Sequence, residues 1–148
     1  FVDRLADYAE KYGMLVALEP IAELDTLWPM YLDGLKFARE EIGRPSVQVM
    51  ADIDYFFKGN QPLERIAEAP EACLHVHIAG DHGQPGVGDM DDVLTRLFRI
   101  LRDCGYTRGV SAACPWVSTD GGSEVDFGAE TAKSLAYLKD LRAKVYAE

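Results

Sequence analysis

The sequence predicts an α/β fold built on a parallel sheet, and three observations carry that prediction. Apolar periodicity switches repeatedly between a helical and an extended pattern, giving the order α-β-α-β-α-β-α-β-α. Every pair of successive strands is separated by a helical stretch, long enough for a crossover that leaves the two strands parallel. The first strand also reads as a short continuous apolar run, the pattern of a strand covered on both faces. A chain of 148 residues, 48% apolar and 27% charged, suffices for one domain, taken as 1–148.

Residues 1–12, "FVDRLADYAEKY", form an amphipathic helix stopped by Gly13. "MLVALEP" (14–20) is a first strand that ends on Glu19-Pro20, with the continuous apolar character of a strand buried on both sides. Residues 25–43 are mostly helical, with Gly43 as the stop and Pro45 beyond it. "SVQVMADIDYFF" (46–57) is a second strand that turns acidic, and "QPLERIAEAPEA" holds a short helix with Pro62 near its first turn. "CLHVHIAGD" (73–81) is the third strand. Residues 89–106 form a helix with Asp89, Asp91 and Asp92 around its first turn and Gly105 at its end. "RGVSAACPW" (108–116) is the fourth strand, and residues 128–148 close the chain as a helix.

Composition removes several functions. A net charge of -10 disfavours nucleic acid, whose backbone is bound by basic surfaces. No apolar run reaches the length of a membrane span, so a soluble protein without a membrane partner is expected. Cys73, Cys104 and Cys114 are odd in number and sit in apolar segments without zinc-type pair spacing. They read as free thiols of a reducing, cytoplasmic compartment.

Polar residues gather where strands end. The first strand ends in Glu19, the second in Asp52 and Asp54, and the third in His77 and Asp81, whereas the fourth offers only Cys114 and a distal Asp120. In parallel α/β sheets that edge is where ligands bind. Side chains alternate along a strand, so Leu15, Ala17 and Glu19 share a face, as do Gln48, Met50 and Asp52, and as do His75 and His77. If those faces point one way, two carboxylates and an imidazole converge as a site for Mn²⁺, Mg²⁺, Co²⁺ or Zn²⁺. The competing reading makes each acid a cap for the next helix and each His a satisfied core residue. Trp28 and Trp116 read as loop packing or as pocket walls, and the Gly-rich "GQPGVGD" as a turn rather than a phosphate cradle.

"LVALEPI", "VQVMADIDYF", "LHVHIAGDHGQPGVGD" and "GYTRGVSAACPW" resemble, in order, the last four strand motifs of the xylose isomerase-like TIM barrels. That superfamily includes sugar isomerases and epimerases, hydroxypyruvate isomerase, inosose dehydratase and endonuclease IV. The resemblance implies the C-terminal half of a (β/α)8 barrel, a full barrel having about 250 residues. It implies a divalent metal held by Glu19, Asp52 and His77, with His75 one layer below as a supporting group. It further implies a sugar, keto-acid or hydroxy-acid substrate isomerised or epimerised through an enediol, with Glu19 as an acid/base group. Asp25 falls where the epimerases carry a substrate-binding Glu.

The chain departs from the family pattern at three places. The second metal Glu falls on Ala113, whose methyl can neither ligate nor accept a proton. A common substrate-facing His is Tyr55, and an Arg expected before "PG" is absent, leaving His82 and Gln84 as candidate substrate contacts. A binding protein that keeps the scaffold without turnover is therefore the rival reading, with endonuclease-type DNA repair a third. Half a barrel leaves bare sheet edges, so association with a second copy or a missing N-terminal half-barrel is expected ahead of a sheet that stays open as a small flavodoxin-like layer.

Overall fold

The computed structural model describes residues 1–23, 25–79, 85–86, 88, 90–113 and 126–148. Helix α1 (Val2–Lys11) leads into β1 (Val16–Leu18), followed by α2 (Tyr31–Lys36), which widens into a π-helical turn over Phe37–Ile42. Strand β2 (Val47–Asp52) runs directly into α3 (Ile53–Lys58), and two 3₁₀ turns (Leu63–Glu68 and Pro70–Ala72) lead to β3 (Cys73–Ile78). Helix α4 (Asp91–Asp103), β4 (Gly109–Ala112) and α5 (Phe127–Ala147) complete the chain. The four strands form one sheet in the order β1-β2-β3-β4, and every neighbouring pair is parallel. This is the β/α arrangement of half a TIM barrel.

Burial divides the sheet by face. Val47, Val49, Ala51, Val76 and Ile78 lie on the helix-covered outer face and are at most 1% exposed. The helices supply their partners: Ala6 from α1, Leu35 from α2, Phe56 from α3, Leu94, Leu97 and Leu101 from α4, and Leu138 and Val145 from α5 all join this one core. In α4 the buried residues follow the 3, 4 spacing of a helix face, and Asp91 and Asp92 occupy its first turn. Each fully buried aliphatic side chain contributes about 1.5–3 kcal/mol of transfer free energy. That outer core is what makes the sheet persist.

Three local expectations change. The first strand is not buried on both faces: only Val16–Leu18 pairs, Met14 and Leu15 are 56% and 53% exposed, and Ala17 is exposed too. Continuous apolar sequence marks a face able to be covered, and among the described residues nothing covers it. The second helix starts at Tyr31 rather than near residue 25, beyond Pro29, with extended Met30 as its N-cap. "IDYFF" is helix rather than strand. Asp52 is the N-cap of α3 and accepts a hydrogen bond from the Asp54 amide, which ends the extended run at residue 52.

Among the described residues no helix is long and apolar enough to cross a membrane. Cys73 and Cys104 are free thiols, and Cys114 lies outside the described residues. Burial pushes the Cys73 thiol up to about 11.

Candidate metal centre

Strand pairing decides which side chains can meet. Ala17 pairs with Gln48 and Leu18 with Val49, so Glu19, one residue past β1, lies beside Met50 and diagonal to Asp52. Asp52 pairs directly with His77, and His77 with Ser111. The β2–β3 pairing contains a register shift: Val49 faces Cys73, whereas Ala51, two residues on, faces Val76, three residues on. Without the extra residue Asp52 would stand opposite Val76. The bulge turns the "HVH" imidazoles onto the face that carries the acids.

Glu19, Asp52 and His77 therefore converge, with one ligand atom of each within 4.8 Å of the others. His77 Nδ1 lies 3.5 Å from Glu19 Oε1 and 3.5 Å from Asp52 Oδ2. Their side chains are 34% (Glu19), 12% (Asp52) and 28% (His77) exposed, so the cluster opens to solvent mainly beside Glu19. Metal–ligand bonds of about 2.1 Å place neighbouring donor atoms roughly 3.0–3.4 Å apart. The two imidazole–carboxylate distances of 3.5 Å are close to that, and two carboxylates plus one imidazole suit a divalent cation. The donor set fits the group.

Asp52 satisfies both readings of a strand-end acid at once. Its Oδ1 accepts the Asp54 amide at 3.0 Å and caps α3, while Oδ2 faces His77. The cap fixes the carboxylate's orientation. Glu19 is located by its neighbour: Pro20 packs on α2 at Gly34, where an added Cβ would stand 2.6 Å from Pro20 Cγ. Only glycine lets the helix come that close.

One layer below, His75 Nε2 and Ser111 Oγ share a 2.7 Å hydrogen bond, and the His75 and His77 rings meet edge to face with centroids 5.3 Å apart. Burial first, and the neighbouring His77 second, hold the His75 imidazole below its ordinary pKa.

The other candidates divide. Tyr55 sits half-buried on α3 beneath Lys58, whose ammonium lies 5.0 Å from the ring centroid. Desolvation, and then the charge of Glu23, raise the Tyr55 pKa, with Glu19 and Asp52 adding smaller contributions of the same sign. Asp25 occupies an exposed turn with φ +66°, and among the described residues it makes no hydrogen bond or ion pair to the cluster. His82 and Gln84, together with Asp81, Trp116 and Asp120, lie outside the described residues. Trp28 packs on Phe37 at 4.7 Å between centroids and joins the margin of the core. Ala113 follows β4, its amide donating to the Ile78 carbonyl at 2.9 Å. The alternation carries it to the face of Ser111 and His77, where it offers only a methyl.

Sequence reasoning passed over Ser111 and Lys58. Ser111 is legible only once β4 is in register with β3. Lys58 bridges Asp54 at 2.8 Å and Glu23 at 3.8 Å, tying α3 to the loop after β1. The i, i+4 spacing of Asp54 and Lys58 was the available signal.

The model of the family described as xylose isomerase-like TIM barrel matches residues 1–141. Among solved structures, 3-keto-D-glucoside 4-epimerase from E. coli superposes with a TM-score of 0.77 at 25% identity, covering 94% of this chain and 51% of its own. L-ribulose 3-epimerase gives a TM-score of 0.80 at 19% identity over 97% of this chain and 52% of its own. An AP endonuclease of family 2 from Brucella melitensis gives 0.65 at 24% identity, over 80% and 48%. The chain thus spans about half the length of the structures it matches. A comparison with curated protein sequences gave no match. With a family match across nearly its whole length and the parallel β/α sheet that match requires, the chain belongs to the xylose isomerase-like TIM barrel family.

Proposed function

We propose that Glu19, Asp52 and His77 hold a divalent cation, Mn²⁺, Mg²⁺, Co²⁺ or Zn²⁺, in a site that isomerises or epimerises a sugar or a small keto- or hydroxy-acid. The observation that carries this reading is the meeting of three ligand atoms, from three neighbouring strand ends, within 4.8 Å of one another. A bound cation would supply Lewis-acid polarisation of a substrate carbonyl. Asp52, oriented by its cap to α3, and His77 are binding groups. Glu19, the most exposed of the three, is the acid/base group that takes a proton from the carbon beside the carbonyl. In an isomerisation it delivers that proton to the former carbonyl carbon of the enediol, while the hydroxyl proton passes to the carbonyl oxygen. Tyr55, Asp25, His82 and Gln84 are the proposed substrate contacts.

Ala113 favours a second reading, a binding protein on the same scaffold without turnover. A proton transfer between two faces of a carbon needs a group on each side, and Ala113 removes the one expected from β4. We read residues 1–148 as a single half-barrel domain whose open face is covered by a second copy or by an N-terminal half. Sedimentation of the chain at high concentration tests the former, a monomer counting against it.

Titration with Mn²⁺ by calorimetry, followed by ketose epimerisation assays, separates the readings. Binding that Asp52→Asn abolishes, together with turnover that Ala113→Glu raises, supports the enzyme. Binding without turnover in both proteins supports the second reading, and a wild-type protein that takes up no cation overturns both.

A further inference from the structure

We infer that Gly109 and Ser111 of β4 are positioning residues that set the ring of His77 by way of His75. The inference rests on the proposed role of His77 as a ligand. Gly109 pairs with His75 across the β3–β4 ladder, and Ser111 pairs with His77. A Cβ built on Gly109 would lie 2.9 Å from His75 Cε1 and 3.0 Å from His75 Nδ1, so the imidazole occupies the space a side chain would take. The ring cannot simply swing away. Its other nitrogen is tied to Ser111 Oγ at 2.7 Å, and its neighbour on the same face is the His77 ring, edge to face at 5.3 Å.

Two neighbours on one strand thus confine His75 along the Nδ1–Cε1–Nε2 edge of its ring, and His75 in turn bounds the space in which His77 rotates. His77 Nδ1 must point at two carboxylates at once, each 3.5 Å away, so a modest rotation would spoil both distances together. Strand β4 contributes no ligand at Ala113, yet it contributes the socket that keeps the imidazole of β3 on target. Groups that orient a metal-ligating imidazole typically carry 10–100-fold in affinity.

The test uses the full chain with Co²⁺ as the probe. Affinity is read by calorimetry, ligand geometry by the Co²⁺ visible absorption spectrum, and the His77 ring in the metal-free protein by its ¹⁵N imidazole resonances. Ser111→Ala and Gly109→Ala are each expected to weaken Co²⁺ binding about 10–100-fold, to alter the absorption spectrum and to move the His77 resonances. Ser111→Thr, which keeps the hydroxyl, should restore all three. If Gly109→Ala fails to fold, Ser111→Ala and Ser111→Thr carry the comparison. Unchanged affinity and spectrum in Ser111→Ala, with wild type binding normally, would overturn the inference and leave the proposed site intact. If wild type binds no Co²⁺ the proposed site falls instead. The metal-free resonances then decide: movement of the His77 signals in Ser111→Ala supports the socket, and their constancy overturns it.

Discussion

On one face of the four-stranded sheet Val49, Ala51, Val76 and Ile78 are completely buried, whereas on the other face of the same strands Asp52, His75, His77 and Ser111 keep part of their surface open. Adjacent residues of one strand thus serve opposite ends. The covered face is apolar, stacked on five helices, and supplies cohesion. The open face carries groups that would be costly to bury unpaired, arranged so that they pair with one another. Stability and chemistry can share a strand because the pleat separates them at every residue.

Substitutions on the two faces should then separate folding from cation binding. The largest effect on stability is expected from Ile78→Ala, which empties a fully buried site and costs about 2–5 kcal/mol, read by urea denaturation. His77→Ala, one residue away, should shift the urea midpoint far less while abolishing Mn²⁺ uptake in calorimetry. Equal destabilisation by both would break the comparison.

A smaller effect is expected from Gly34→Ala, which crosses the division. Its Cβ would meet the Pro20 ring at 2.6 Å, an overpacking cost of about 1–3 kcal/mol. Displacing Pro20 also moves Glu19, so Mn²⁺ affinity should fall along with stability. A variant that loses stability and retains full affinity would show that Glu19 is located by something other than α2.

Asp52 sharpens the contrast within one side chain. Asp52→Asn keeps a capping oxygen and should leave the denaturation midpoint nearly unchanged while abolishing cation binding. Asp52→Ala should lose the binding and, in addition, about 1 kcal/mol of stability with the cap.

The smallest effect concerns the far end of the sheet, where Arg44 bridges Asp7 and Glu10 and Ser46 donates to Glu10. The Arg44 guanidinium first, and the Ser46 hydroxyl second, hold the Glu10 carboxyl below its usual range. A depressed folded-state pKa means stabilisation present above the unfolded value near 4.5 and lost as pH falls through the folded one. Glu10→Gln should therefore reduce the dependence of the thermal midpoint on pH below about 4.5, by a small amount because the pair is exposed. Cation binding at neutral pH should be unaffected.

Much of this arrangement is legible in the chain itself. The helical stretch around Leu94, Leu97 and Leu101, the crossover lengths and the apolar strands require a parallel sheet, and Glu19, Asp52 and His77 stand at strand ends in any such reading. The boundary at Asp52 was less legible, because "IDYFF" is apolar enough for a strand and its helix is set by a cap that uses a single side-chain oxygen. The uncovered state of Met14 and Leu15 was not legible at all, since hydrophobicity records what a face prefers and not whether anything meets it.

What the sequence determined by itself is the order of elements, their parallel sense and the alternation along each strand. All of these depend on residues close together in the chain. Only the tertiary structure decided which way "HVH" faces, because one extra residue in β3 shifts its register against β2 and brings His77 opposite Asp52. It alone also decided that Ser111 on β4 hydrogen-bonds the imidazole below and that Gly109 leaves it room. Such choices are made by hydrogen bonds between strands distant in sequence, where a slip of one residue exchanges the two faces of a sheet.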